Sequence, residues 1–402
     1  MGLNEQKTAI LHTEIYCENE IIENGYVIIR DGVIEEAGDM SHAPSFNNCT
    51  LIQLDERSTA VPGFIDIHIH GAAGADTMDA TRDALQKMAA ALPAEGTTSF
   101  LATTMTQDSA AIDAALISCA QYIGTQTKKG AEMVGIHLEG PFVNPKKAGA
   151  QPAEHILPPN PLLFDHWQTL SGSTIKIVTM APEMEGGMNF TKKLTSEGVI
   201  PSIGHSSASY SEAKEAVMNG AKQVTHLFNQ MSPLHHREPG TAGAALLEDS
   251  LSAEVIADGV HISPEMVRLA LKVKGQNGLI LITDAIRAKF MPPGTYDLGG
   301  QQVTVGEGRA VLPDGTLAGS ILTMDTAVRN MMLFTGCSLR DAVRMASENP
   351  ARQLGLFHRK GSIKEGKDAD LVFLDASHEV IMTVTRGMIS YRRGEQIEHN
   401  RS

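Results

Sequence analysis

Residues 64–71 read Phe-Ile-Asp-Ile-His-Ile-His-Gly, so Ile65, Ile67 and Ile69 alternate with Asp66, His68 and His70. In a strand, this period of two sends the isoleucines to one side and the polar three to the other. The fold must then partner an acid and two imidazoles, because burying them bare is costly. Two hydrogen-bonded core histidines would meet the requirement. So would a divalent metal, since neutral imidazole is the commonest protein metal ligand.

From residue 64 onward, apolar strand-like runs alternate with stretches of helical period. Counting 64–70, the runs at 97–103, 133–139, 174–180, 199–205, 223–227, 253–258 and 279–284 make eight predicted strands. Helical stretches separate most of them: 82–92 stops before Pro93 and Gly96, and 209–219 and 264–274 follow the same pattern. Leu279-Ile280-Leu281-Ile282 is apolar throughout, as expected of a parallel strand buried on both faces. Eight such units predict the α/β class and a TIM (β/α)8 barrel, whose chemistry sits where strands end. Here His68 and His70 end the first strand, Glu139 the third, His205 the fifth and His226 the sixth. Asp258 and His261 end the seventh, and Asp284 the eighth. A doubly wound sheet, the alternative architecture, gives no reason for this distribution.

The ends of the chain have a different rhythm. Residues 26–37 read as a hairpin turning at Asp31-Gly32, and β-like sequence recurs at 51–54 and 361–375. β-rich ends around a barrel predict a small β-sandwich domain formed by the N- and C-terminal segments, residues 1–58 and 358–402, with the barrel on 59–357. Residues 294–313 look like an inserted hairpin, and 323–335 and 339–347 look helical. No 18-residue apolar run suggests a membrane span, and residues 1–6 lack the basic-then-apolar pattern of a secretion leader. Cys17, Cys49, Cys119 and Cys337 are scattered, without a C-x-x-C pair. These features predict a cytoplasmic protein. A net charge of −14 argues against nucleic acid as a partner, while leaving room for a basic pocket around a small anion.

Several stretches carry a resemblance. They are P-G-F-I-D-I-H-I-H-G at 62–71, H-L-E-G-P-F at 137–142, Gly204-His205, T-H-L-F-N at 225–229 and R-E-P-G at 237–240. I-A-D-G-V-H at 256–261, T-D-A at 283–285, L-A-G-S at 317–320 and K-E-G-K-D-A-D-L at 364–371 complete the set. Together they resemble the amidohydrolase superfamily and, within it, the branch that deacetylates N-acetylglucosamine 6-phosphate. The H-x-H and K-x-G-x-D-A-D-L pieces mark only the superfamily. The H-L-E-G-P-F, H-L-F-N and R-E-P-G pieces are specific to the branch.

The resemblance implies a metal-dependent hydrolase with one or two divalent ions per subunit, zinc or iron, and a phosphosugar substrate. Glu139, His205 and His226 are the implied metal set, a combination suited to Zn²⁺ or Fe²⁺ with open positions. His68 and His70 complete a second position, with Glu139 shared. Relatives with uncharged amides at those two places hold one metal, so this chain has ligands for two. His137, two residues before Glu139, is read as orienting the ligands, with a ligand role as the alternative. Asp284 is the implied general base and acid. A metal lowers the pKa of bound water toward ~7, the hydroxide so formed attacks, and Asp284 passes the proton to the leaving amine. Taken alone, Glu139 reads equally as a surface carboxylate, Asp284 as a helix N-cap and Arg237 as a solvated charge.

The family's use of the matching residue makes Arg237 the phosphate ligand, reaching in from the neighbouring subunit of a homodimer. Ala150, Gln151, Asn229, Gln230, Asp258, His261, Leu317, Ala318 and Gly319 match positions lining the sugar pocket. Gln151 is a departure, because many relatives carry His in this loop and a glutamine cannot become a cation. Dihydroorotases, hydantoinases and N-acyl amino acid deacetylases are the rival amidohydrolases. Many of them bridge their metals with a carboxylated lysine, and Glu139 in that place disfavours them. A barrel that has lost catalysis and acts as a scaffold would not be expected to keep five metal ligands and Asp284.

Overall fold

A computed structural model describes residues 7–54 and 58–395. Residues 1–6, read above for a leader, lie outside the described residues. Eight parallel strands form one sheet in sequence order: Phe64–Ile69, Thr97–Thr103, Glu132–Glu139, Ile175–Met180, Ile200–Ile203, Gln223–Val224, Ser252–Val255 and Leu279–Leu281. The last strand returns to the first through a parallel bridge between Ile69 and Ala285. Asp284 N–H donates to the His68 carbonyl at 2.8 Å, and the N–H groups of His70 and Gly71 donate to the Ala285 carbonyl at 2.9 and 3.0 Å. The sheet is therefore the predicted barrel. All six residues of its first strand are buried, isoleucines and polar residues alike.

The intervening helices start where side chains can satisfy their free N–H groups. Thr81 caps the helix Arg82–Ala91 at the Ala84 N–H, and Asn160 caps Pro161–Leu170 at the Leu163 N–H. Ser209 and Glu212 form a reciprocal capping box on Tyr210–Met218. The helix expected at 339–347 runs further. Leu339–Val343 passes through a π turn, Arg344–Glu348, into Asn349–Gln353. Pro350 follows directly on the π turn, where the regular i→i+4 pattern is already interrupted.

Both ends of the chain enter a second sheet. Its order is Met388–Arg392, Val380–Thr385, Leu371–Leu374, Thr59–Pro62, Lys7–Tyr16, Ile21–Arg30 and Val33–Asp39, with Cys49–Gln53 beside the first half of Lys7–Tyr16. Ile10, Ile29 and Ile34 share one core with Phe373, Met382 and Val384, so strands from the N- and C-terminal segments pack on each other. Thr59–Pro62 pairs within this sheet, and the first barrel strand begins at Phe64. The segment read as an inserted hairpin is a three-stranded sheet, Gly294–Leu298, Gln301–Gly306 and Arg309–Val311. Lys360, almost fully buried, joins the two parts of the molecule, pairing with Glu132 at 2.8 Å and with Asp368 at 3.0 Å. No helix among the described residues is long and apolar enough to cross a membrane.

Candidate metal centre

Five of the predicted strands end earlier than the sequence suggests, at Ile69, Ile203, Val224, Val255 and Leu281. Just beyond three of these ends, His205, His226 and Asp284 adopt left-handed backbone conformations, with φ of 47°, 30° and 49°. Each such non-glycine residue costs on the order of 1–3 kcal/mol, and such strain collects at functional sites. The turn into His205 also needs Gly204, where a Cβ would come within 2.7 Å of both Thr179 Cγ2 and Thr225 Cβ.

The side chains so placed converge on Glu139. Its Oε1 lies 3.4 Å from His68 Nε2, 3.4 Å from His205 Nε2 and 3.3 Å from His226 Nε2. Its Oε2 lies 3.3 Å from His70 Nε2. Asp284 Oδ1 is 3.5 and 3.3 Å from Nε2 of His68 and His70.

The outer nitrogens fix three of the tautomers. Nδ1 of His205 faces the Lys147 carbonyl at 2.8 Å, Nδ1 of His226 the Asn229 carbonyl at 3.1 Å, and Nδ1 of His68 the Glu254 carboxylate at 2.9 Å. Those oxygens accept, so each ring donates from Nδ1 and turns the lone pair of Nε2 inward. The His205 and His226 lone pairs then face each other at 3.1 Å, and both face a carboxylate. His68 Nε2 and Glu139 Oε1 are buried without a hydrogen-bond partner. Positive charge, from a metal ion or from protons, relieves this arrangement. The donor atoms fall into three compact sets: Glu139 with His205 and His226, His68 with His70 and Asp284, and His68 with His137 and Glu254, the last tied up in hydrogen bonds. Nitrogen and carboxylate donors of this kind fit a divalent transition metal.

Without a metal the cage attracts protons. Burial opposes charge on His68, but Asp284, Glu139 and Glu254 outweigh it and hold the ring well above the ordinary imidazole range. Burial likewise opposes charge on His70, yet Asp284 and Glu139 lift it to about 9. Burial would raise Asp284, but His68 and His70 bring it down to about 2. A metal competes with protons for such ligands.

His137 stands differently. Its Nδ1 donates to the Ile67 carbonyl at 3.0 Å, and its Nε2 accepts from the Thr179 hydroxyl at 2.7 Å. Neither nitrogen is spare for a metal, so His137 braces the first strand beneath the cage.

A cavity of about 340 Å³ opens over these groups. His70, Glu139, His205, His226 and Asp284 line it together with Ala150, Gln151, Asn229, Gln230, His261, Leu317 and Gly319. Gln151 donates from Nε2 to Glu139 Oε2 at 2.7 Å, while its Oε1 accepts from the Thr106 N–H at 2.9 Å. It therefore orients the shared carboxylate. Gly319 has φ of 58°, and a Cβ there would approach the Asp284 carbonyl to 2.8 Å.

Other predicted residues stand back from the cavity. Asp258 lies behind His261, accepting from its Nδ1 at 2.6 Å. Ala318 is buried in an apolar cluster with Ile286 and Leu298, and His68 lies beneath the floor. Arg237 is exposed, 2.9 Å from His236 Nε2, and does not line its own chain's cavity. Sequence reasoning missed Met105, Leu298 and Thr316 in the wall. It also missed Glu254 beneath His68, whose only signal was an acid amid apolar residues in a strand.

The model of the Amidohydrolase family matches residues 59–390, and the chain belongs to that family. It is 49% identical over 379 residues to the N-acetylglucosamine-6-phosphate deacetylase of Bacillus subtilis, covering 94% of this chain and 95% of that protein. It is 39% identical over 341 residues to the N-acetylgalactosamine-6-phosphate deacetylase of Escherichia coli O157:H7, covering 84% and 90%. Among solved structures, an aspartate-to-alanine variant of N-acetyl-D-glucosamine-6-phosphate deacetylase from Mycobacterium smegmatis, in complex with N-acetyl-D-glucosamine-6-phosphate, is similar at a TM-score of 0.89. That match has 30% identity and covers 96% of this chain and 99% of that one.

Proposed function

We propose that this amidohydrolase cleaves the acetamide of N-acetylglucosamine 6-phosphate, releasing glucosamine 6-phosphate and acetate. One observation carries the reading: imidazole lone pairs converge on Glu139 beside Asp284 at the floor of the cavity, in a chain 49% identical to a deacetylase of that substrate. The cavity is within the size range of small-molecule sites.

Glu139, His205 and His226 would hold one divalent ion, zinc or iron, and His68 and His70, sharing Glu139, would hold a second. A divalent ion in this cage supplies Lewis acidity at neutral pH. Asp284, lining the cavity and facing both His68 and His70, takes a proton from the attacking water and delivers it to the departing nitrogen. That delivery matters because an amine leaves poorly unless protonated. His261, fixed by Asp258, presents Nε2 to a substrate oxygen, and Gln151 keeps Glu139 in its shared orientation.

The phosphate needs a cation. Among the described residues lining the cavity, none is an arginine or lysine. Arg237 sits on an exposed loop, and its planar fork suits phosphate. This supports a homodimer in which each Arg237 reaches the partner's cavity. A phosphorylated sugar substrate and four free thiols fit a cytoplasmic enzyme.

The test is acetate release by zinc- or iron-loaded protein from N-acetylglucosamine 6-phosphate, with N-acetylgalactosamine 6-phosphate and an N-acyl amino acid as competitors. No release from the first substrate, or faster cleavage of the acyl amino acid, would overturn the reading. Mixing Asp284→Asn with Arg237→Ala chains tests the shared site. A mixed dimer holds one cavity with both groups intact, so activity should partly return. Complete lack of complementation despite subunit exchange would place Arg237 in its own chain's pocket or outside the site.

A further inference from the structure

Glu254 lies within the seventh barrel strand, fully buried and absent from the cavity wall, so it cannot touch a substrate. Its contacts nevertheless link both halves of the cage. Oε2 accepts from His68 Nδ1 at 2.9 Å and from the backbone N–H of His226 at 3.1 Å. Oε1 accepts from Gln223 Nε2 at 2.6 Å. The Gln223 amide is itself oriented, because its Oε1 accepts from Gln353 Nε2 at 3.0 Å.

The role follows from the tautomers open to His68. Its Nε2 faces two carboxylates, Glu139 at 3.4 Å and Asp284 at 3.5 Å, and both would welcome a proton on that nitrogen. A neutral ring that put its proton there would become a donor to them and could no longer bind a metal. Glu254 is the acceptor that draws the proton to the far side of the ring. By also holding the His226 backbone, it ties the ring of one set to the main chain of the other. We infer that Glu254 is a positioning residue that keeps His68 in its metal-binding tautomer. The inference rests on the metal-dependent reading above.

The test is zinc affinity, measured by competition with a chelator, together with zinc stoichiometry. The subjects are wild type, Glu254→Gln, His68→Asn and the double variant. Glu254→Gln keeps the volume but replaces one acceptor oxygen by a donor. It should fold with a near-normal melting curve and lose affinity at the His68 side by about 10–100-fold, the usual cost of removing a ligand's partner. Zinc at Glu139, His205 and His226 should be held nearly as before. In the His68→Asn background the same change should add almost nothing, which a merely structural role would not produce.

Equal losses in both backgrounds, or unchanged zinc binding by folded Glu254→Gln, would overturn the inference. So would wild-type zinc affinity in His68→Asn, because Glu254 would then have nothing to act through. Should Glu254→Gln fail to fold, Glu254→Asp carries the same cycle, retaining the charge but withdrawing it from the ring.

Discussion

Two clusters of charge lie buried in one barrel, and they are completed differently. In the first, Lys289 pairs with Glu95 at 2.7 Å, and the Thr283 hydroxyl donates to Asp66 at 2.6 Å. Glu95 also accepts from the Thr97 hydroxyl at 2.9 Å and the Met324 N–H at 3.2 Å, and Asp66 from the His68 N–H at 3.2 Å. Each charge ends on a protein partner. In the second cluster, starting from His68 on the same strand, lone pairs face lone pairs and Glu139 Oε1 has no donor. Depth is the same in both, with Asp66, Lys289 and His68 all at 0% exposure. Buried charge by itself therefore marks nothing. The unfinished hydrogen bonding marks the site.

Five experiments can break or sharpen this contrast. The largest effect belongs to Glu139→Gln. It should reduce occupancy of both metal positions, costing more than the ~10–100-fold typical of a ligand's partner, and nearly abolish turnover. Elemental analysis showing full metal in that variant would dissolve the distinction. Asp284→Asn should keep its metal and lose about 10²–10⁴-fold in kcat, the range for general acid–base groups. Near-normal kcat would remove Asp284 from the proton path.

The closed cluster should answer to stability instead. Lys289→Met strands Glu95 and should cost about 3–5 kcal/mol in denaturant unfolding, whereas replacing both partners by apolar residues should recover much of it. Metal content should not change, and metal lost at unchanged stability would invert the comparison. Arg237→Ala, outside both clusters, should raise KM for the phosphosugar roughly 10–200-fold with little change in cleavage of unphosphorylated N-acetylglucosamine. Equal losses on both sugars would deny it a phosphate role.

The smallest effect concerns pH. Burial lifts the Glu95 carboxyl to about 7 although Lys289 pulls the other way. Its folded value then exceeds the ordinary 4.5, so the folded state binds the proton more tightly. That stabilisation is complete below about pH 4.5 and is lost as pH rises through about 7. Wild type should lose melting temperature relative to Glu95→Gln across that window. A difference that does not move with pH would mean Lys289 keeps Glu95 ionised throughout.

The barrel was legible because its strands carry local signals, the period of two at 64–70 and the apolar run at 279–282. Strand ends were not. His226 and Asp284 take positive φ just past the strand ends, and nothing in an apolar run followed by a polar residue reveals that rotation. The cage itself was legible residue by residue, since each member ends a strand in a matched motif. Glu254 was not, because its meaning lies in meeting His68 across 186 residues of sequence. Leu298 belongs to an inserted strand, and Thr316 follows the inserted sheet, so their place in the wall depends on how that sheet folds back, which is a tertiary fact.

The bridge between Ile69 and Ala285 is where the cylinder is sewn shut, and the stitches are few. His68 and His70 stand on one side of that join and Asp284 on the other. A cation gripped from both sides would then be a rivet as well as a reagent. Stripping it with a chelator should let the join breathe, and amide hydrogen exchange at His70, Gly71 and Asp284 should quicken before it does elsewhere in the barrel. The same atoms that would activate water would also decide how tightly the barrel is fastened.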